Sequence, residues 1–267
     1  PSPVAPVAVP VEGPVRLNAA RVAPQTWEPG LPTGRAGGRV VVAGADPVSA
    51  QAVVAALVGR GFEATARPLG VTVDDELDGL VVISTPRPDA GEIQAWFTEV
   101  RAAAGALRSR GGFLWTVSRL DGRFGWDGLG AGHQPRSGAL SGLAKTAALE
   151  WPEVSVVALD LAADAPASHI ARLVDGALAA GPVERGLSAA GSWSTAKLVS
   201  VADPGDPVAG YLRADDVVVV TGGARGVTLA SVAAMSRHSD HQTRFVLLGR
   251  TDIDADDAGV HCGHAAC

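Results

Sequence analysis

From Arg39 onward the apolar residues fall into two alternating kinds of block. Short continuous runs, the first being Arg39-Val40-Val41-Val42-Ala43-Gly44, read as strands buried on both faces. Longer stretches with apolar residues at helical spacing separate them. Asp46 and Pro47 fit an N-cap and first helical position ahead of a helix over 48–60. Residues 61–66 and 77–84 read as the next strands, and Ala90 to Arg108 as an amphipathic helix carrying Ile93, Trp96, Phe97, Val100 and Leu107. A strand over 112–118, a helix over 137–150 that stops before Pro152, a strand over 154–160 and a helix over 168–180 complete the series. Strands alternating with helices of this length predict an α/β fold: a Rossmann-like parallel sheet with helices on both faces.

The rhythm then breaks and restarts. Residues 186–213, with Trp193, Lys197-Leu198-Val199 and Tyr211-Leu212-Arg213, read as one or two strands leading to a second sheet. Val217-Val218-Val219-Val220 then runs into Thr221-Gly222-Gly223-Ala224-Arg225-Gly226-Val227-Thr228, a helix, and a second strand Phe245-Val246-Leu247-Leu248-Gly249-Arg250. This is the first βαβ of a second Rossmann module. The expected organisation is a Pro-rich linker over 1–34, a structural subdomain over 35–185, and a connecting β segment over 186–214. The start of a nucleotide-binding subdomain over 215–251 and an irregular tail over 252–267 follow.

The glycine turn carries the candidate chemistry. Backbone amides at a helix N-terminus can hold a pyrophosphate when no side chain blocks the approach. Gly222, Gly223 and Gly226 supply that room, with Thr221 and Val227 flanking them, and strand–turn–helix is the context in which such a pattern counts. An acid at the end of the second strand would bind a ribose 2′-hydroxyl, but here Gly249-Arg250 stands there. A guanidinium grips a 2′-phosphate through paired hydrogen bonds, so Arg225 and Arg250 favour NADPH over NADH.

The first module's equivalent turn, Ala43-Gly44-Ala45-Asp46-Pro47-Val48-Ser49, keeps one glycine and sets an acid where phosphate would lie. It reads as structural. Ser118 and the pair Ser141 and Lys145 sit roughly where a reductase of this architecture carries catalytic groups. Ser141 cannot replace an acidic Tyr, however, so both Ser118 and Lys145 read as structural.

Composition narrows the function classes. The 267 residues carry a formal charge of −6 with no Lys/Arg run, which argues against nucleic acid and against an anionic membrane surface. No 18-residue apolar run occurs, and prolines interrupt the apolar residues of the first fifteen positions, so neither a membrane span nor a signal helix is expected. The only cysteines are Cys262 and Cys267, a usage that fits a reducing cytoplasm. The chain opens on Pro1 and its one Met is Met235, so it reads as a piece of something longer. Asp252, Asp254 and Asp256 lack the glycine and the terminal acid of a calcium loop. His261, Cys262, His264 and Cys267 are crowded without a scaffold, and the tail reads as irregular, with no metal expected.

Two signatures, in order, resemble the ketoreductase domains of type I polyketide synthases and polyunsaturated fatty acid synthases. Gly138-Ala139-Leu140-Ser141-Gly142-Leu143-Ala144-Lys145-Thr146 with Glu150-Trp151-Pro152-Glu153-Val154 resembles their structural subdomain, and Thr221–Thr228 with Leu247–Arg250 resembles the opening of their catalytic subdomain. The resemblance covers about residues 35–251. It implies an NADPH-dependent oxidoreductase of the short-chain reductase type, working within a multienzyme on a β-ketoacyl group carried by an acyl carrier protein. Thr228 replaces the third glycine of the commoner loop. No catalytic residue is assigned: the family's Ser, Tyr, Lys and Asn have no counterpart after Arg250, and the single Tyr, Tyr211, precedes the loop. The chain is expected to be inactive alone. A non-catalytic scaffold that packs neighbouring domains, and a reductase completed by a second polypeptide, are the other readings.

Overall fold

A computed structural model describes residues 20–31, 37–70, 76–126, 128–130, 132, 134–166, 168–200, 212–213, 215–222, 226–237 and 243–249. The chain divides into two compact units, residues 1–201 and 202–267.

The first unit is built on β1 (Ala20–Thr26), β2 (Arg39–Gly44), α1 (Pro47–Val58), β3 (Glu63–Arg67), β4 (Gly79–Ile83), α2 (Ala90–Arg110) and β5 (Phe113–Ser118). A single 3₁₀ turn, Pro135–Gly138, then leads into α3 (Ala139–Glu150), β6 (Ser155–Leu161), α4 (Ser168–Leu178), β7 (Glu184–Leu187) and β8 (Trp193–Ser200). The strands form one eight-stranded sheet in the order β1-β8-β7-β6-β5-β4-β2-β3, parallel from β3 through β7. The Rossmann-like parallel sheet expected from the sequence is therefore present.

The unbroken apolar runs follow from the layering. Along β4, Val81 and Ile83 enter the core beneath α1 and α4, while Leu80 and Val82 enter the core beneath α2 and α3. Alternate residues of β6 divide the same way, Val157 and Leu159 to one face, Val156 and Ala158 to the other. The helix ends have local causes. Asp89 accepts from the Glu92 amide at the start of α2, and Gly111 ends it in the left-handed conformation with φ 58°.

The edge of this sheet differs from the sequence expectation. Ala20–Thr26 lies in the stretch read as linker, yet it is a strand, paired antiparallel with β8 along its length. β8 itself was expected to lead to a second sheet, but it pairs antiparallel with β7 in the first. Aromatic packing explains both. Trp193 lies over Gly176 of α4, where an added Cβ would come within 2.0 Å of its ring. Trp27 meets Trp193 edge-on at 5.4 Å, and the Arg185 guanidinium stacks over Trp27. Burying the Trp193 indole, with Trp27 packed half-buried against it, outweighs anything the alternation of β8 could signal.

The second unit contains β9 (Val217–Thr221), α5 (Gly226–Arg237) and β10 (Arg244–Leu248), with β9 and β10 parallel. It is the βαβ unit expected from the sequence.

Candidate nucleotide-binding site

In the second unit the four-valine strand β9 delivers Thr221 to the carboxyl edge of the sheet, and Gly222 turns the chain at φ 69°. The Gly222 amide donates to the Leu248 carbonyl at 2.7 Å, which fixes the turn against the end of β10. Gly226 opens α5 at φ 60°, and an added Cβ at Gly222 or Gly226 would meet nothing within 4 Å. The two glycines are thus in a conformation that L side chains rarely adopt, with no other described residue close to either. The first turn of α5 holds no acidic side chain, and Val227 is 84% exposed. A helix N-terminus leaves its first amides without intrahelical partners and carries the positive end of the helix dipole, a combination that suits a phosphate. Of the expected site residues, the structure describes Thr221 and Gly222 at the end of β9 and Gly226 and Val227 at the start of α5. Gly223, Arg225 and Arg250 lie outside the described residues, as does the tail with its Cys and His.

The first unit carries the corresponding turn in a filled state. It follows β2, whose neighbours β3 and β4 leave in opposite directions. This is the switch point above which open α/β sheets bind ligands. Here Asp46 caps α1: Oδ1 accepts from the Val48 amide at 3.1 Å and Oδ2 from the Ser49 hydroxyl at 2.6 Å. Those bonds, the Ser49 hydroxyl above all, hold the Asp46 carboxyl below its ordinary pKa. Behind it, the buried Arg119 donates from Nη1 to Ser49 Oγ at 3.2 Å and from Nη2 to the Ala163 carbonyl at 3.0 Å. Ser137 Oγ accepts from the Arg119 amide and donates to Ser84 Oγ. The second strand of this module also ends in an arginine, Arg67. Its guanidinium is gripped at both ends by the carboxylate of Glu99, a residue 1% exposed on α2.

Ser118 and Lys145 are likewise occupied. Ser118 Oγ lies 3.1 Å from Ser141 Oγ inside the core, and Lys145 Nζ lies 3.0 Å from Glu184 Oε1. Asp160, the one charged residue of β6, is wholly buried and accepts from the Leu120 and Phe124 amides, both at 2.9 Å. Burial raises its pKa to about 6, with nearby Asp121 adding to the rise and the backbone amides opposing it. Sequence reasoning missed Arg119, Glu99 and Asp160 as a group. A lone acid inside Val156–Leu161 was the available signal, since an apolar strand tolerates one only when its oxygens are satisfied.

A cavity of about 700 Å³ lies at the opposite, amino edge of the sheet, walled by Phe62, Phe113 and Trp115. Its charged groups are already engaged: Arg110 pairs with Asp78, and Arg185 donates to the carbonyls of Gly176, Ala177 and Ala179 at the end of α4. Among the described residues no cluster of His, Cys, Asp or Glu suits a metal, and no helix is long and apolar enough to cross a membrane.

No protein-family model matches the chain. It is 32% identical over 149 residues to a polyunsaturated fatty acid synthase subunit of Thraustochytrium sp. (strain ATCC 26185 / S-3), a match that spans 53% of this chain and 5% of the relative. Among solved structures, an A-type ketoreductase from a modular polyketide synthase superposes with a TM-score of 0.57 at 20% identity, covering 90% of this chain and 55% of that one. A C2-type ketoreductase from a modular polyketide synthase gives 0.56 at 20% identity, covering 90% and 59%. A multidomain structure with adenylation, ketoreductase and pseudo Asub parts from a keto acid-selecting NRPS module gives 0.59 at 13%, covering 90% and 23%. The chain therefore spans a little over half the length of the two ketoreductase structures, and identities this low speak to fold. The fold of this chain is that of the ketoreductase domains of modular polyketide synthases, and over half its length its sequence is similar to that of a polyunsaturated fatty acid synthase.

Proposed function

We propose that the chain supplies the structural subdomain and part of the dinucleotide site of an NADPH-dependent β-ketoacyl reductase in a cytoplasmic polyketide or fatty acid multienzyme. The first unit, with β1 and β8 in its sheet, is the structural subdomain in this reading, and residues 215–251 are the start of the nucleotide-binding one. The observation that carries it is the strand–turn–helix of β9 and α5, where Gly222 and Gly226 take positive φ and no described residue beyond their chain neighbours lies within 4 Å of an added Cβ. The α5 amides would hold the pyrophosphate, with Gly222, Gly223 and Gly226 giving it room to approach and Thr221 and Val227 at its rim. Arg225 and Arg250 would pair with the 2′-phosphate.

When bound, NADPH supplies the hydride that reduces the β-keto group of a carrier-protein-bound acyl thioester to a hydroxyl. No residue of this chain is assigned to the proton transfer, since its single Tyr, Tyr211, precedes the cradle. The acid and the residues that orient the carbonyl would come from the remaining domains of the assembly, and the chain alone is inactive in this reading. A second reading, a scaffold without catalysis, is favoured by the filled cradle of the first unit, where Asp46 and Arg119 occupy the equivalent place.

Titrating the chain with NADPH and NADH separates the two. NADPH binding at least about tenfold tighter than NADH, equivalent to about 1.4 kcal/mol, is expected from the 2′-phosphate contacts. A Gly222→Val variant should lose that binding. No detectable NADPH binding at millimolar concentration would leave the scaffold.

A further inference from the structure

The first unit repeats the strand–turn–helix device of the second, and its charges are arranged as though around a bound anion. α1 is a twelve-residue helix, and its first turn offers the Val48 amide and the Ser49 hydroxyl to one carboxylate, that of Asp46. An N-cap requires no more than this. Yet a guanidinium 9% exposed stands behind it: Arg119 reaches Ser49 Oγ through Nη1, while its Nε is buried with no hydrogen-bond partner. Burying an arginine and leaving a donor unmatched is costly unless a negative charge faces it. The facing charges are Asp46 and Asp160.

We propose that the Asp46 carboxylate is a built-in anion standing where a ligand phosphate would stand, with Ser49 and Arg119 as its partners, and that the pocket accepts a phosphate-class anion once that carboxylate is removed. Arg119 is then the phosphate-directed cation of a site closed by the chain's own side chain. The inference concerns the first unit and does not rest on the reading of the second.

The test is chemical rescue in the full chain. Asp46→Gly removes the carboxylate and opens the space, and Asp46→Asn keeps a capping side chain while removing the charge. Unfolding is followed by tryptophan fluorescence, which reports the first unit because all six tryptophans lie between Trp27 and Trp193. Inorganic phosphate and pyrophosphate are compared with sodium chloride at equal ionic strength. Any phosphate held after β9 is common to every variant and cancels. Both variants should melt below the parent, and the extra rise in midpoint with phosphate over chloride should be several degrees larger in the variants than in the parent, whose response measures the general salt effect. Adding Arg119→Met to Asp46→Asn should abolish the gain. Equal responses of parent and variants overturn the proposal, and so does a gain that survives Arg119→Met. If the glycine variant does not fold, the asparagine variant gives the same reading.

Discussion

Asp160 makes the first unit's stability depend on pH in a direction opposite to that of most carboxylates. Its side chain is 0% exposed, and its pKa rises from 3.8 to about 6 because burial disfavours the charged form. In the unfolded chain it titrates near 3.8, so between about pH 3.8 and 6 the folded state holds the proton more tightly. Stability from this group is then fully present below 3.8 and is lost as pH rises through 6. The rise from 3.8 to about 6 corresponds to a few kcal/mol in total, of which on the order of 1 kcal/mol separates pH 5 from pH 7.5. Asp160→Asn removes the titration. An amide oxygen can still accept from one of the Leu120 and Phe124 amides but not serve both as a carboxylate does, and an unmatched buried donor costs about 1–3 kcal/mol. At pH 7.5 that loss is offset by no longer burying a charge, so the variant should lie close to the parent. At pH 5 it should be the less stable, by on the order of 1 kcal/mol more than at pH 7.5. Urea unfolding followed by tryptophan fluorescence at a series of pH values measures both, and the parent-minus-variant difference cancels the other titrating groups. A difference that is the same at pH 5 and pH 7.5 would refute the assignment of the shifted carboxyl to Asp160.

Glu99→Ala strands the Arg67 guanidinium, which is 14% exposed, and should cost about 3–5 kcal/mol, whereas Arg67→Met with Glu99→Leu should be nearly neutral; urea midpoints of the single and double variants check this. Gly176→Ala pushes a Cβ against the Trp193 ring and should cost about 1–3 kcal/mol despite the better helix propensity of alanine. Combining it with Trp193→Phe should cost less than the two single changes together, and a double-mutant cycle in which they simply add would show that the indole does not fill that hole.

Periodicity made the parallel core legible because strands buried on both faces leave long apolar runs, and β2, β4 and β5 lie within a residue or two of where those runs place them. The antiparallel edge was not legible. β1 carries Pro24 and Gln25 among small apolar residues, which suits an edge strand and an extended linker equally well. What decides it is the contact of Trp27 with Trp193 and of Trp193 with Gly176, between residues far apart in the chain. The cradle after β9 was legible because glycine spacing records backbone conformation directly: Gly222 and Gly226 both take positive φ. The filling of its counterpart was half legible. Asp46 stands in the turn itself, but Arg119 arrives from the end of β5 and Asp160 from β6, and pairing of that kind leaves no local pattern.

The two turns show how one backbone device is put to opposite uses. A helix N-terminus that waits for an external phosphate is stabilised only when the ligand is present, by an amount that grows with the logarithm of its concentration. In the proposed reading the second unit keeps that dependence, with Gly222 and Gly226 at positive φ where β9 ends and α5 begins. In the first unit the anion is covalently attached. Asp46 satisfies α1 at every ligand concentration, and the cost of ordering a single carboxylate is small beside that of capturing a free anion. Arg67, Glu99, Ser118, Ser141, Lys145 and Glu184 repeat the logic, each group that could have faced a ligand being matched by a neighbour in the chain.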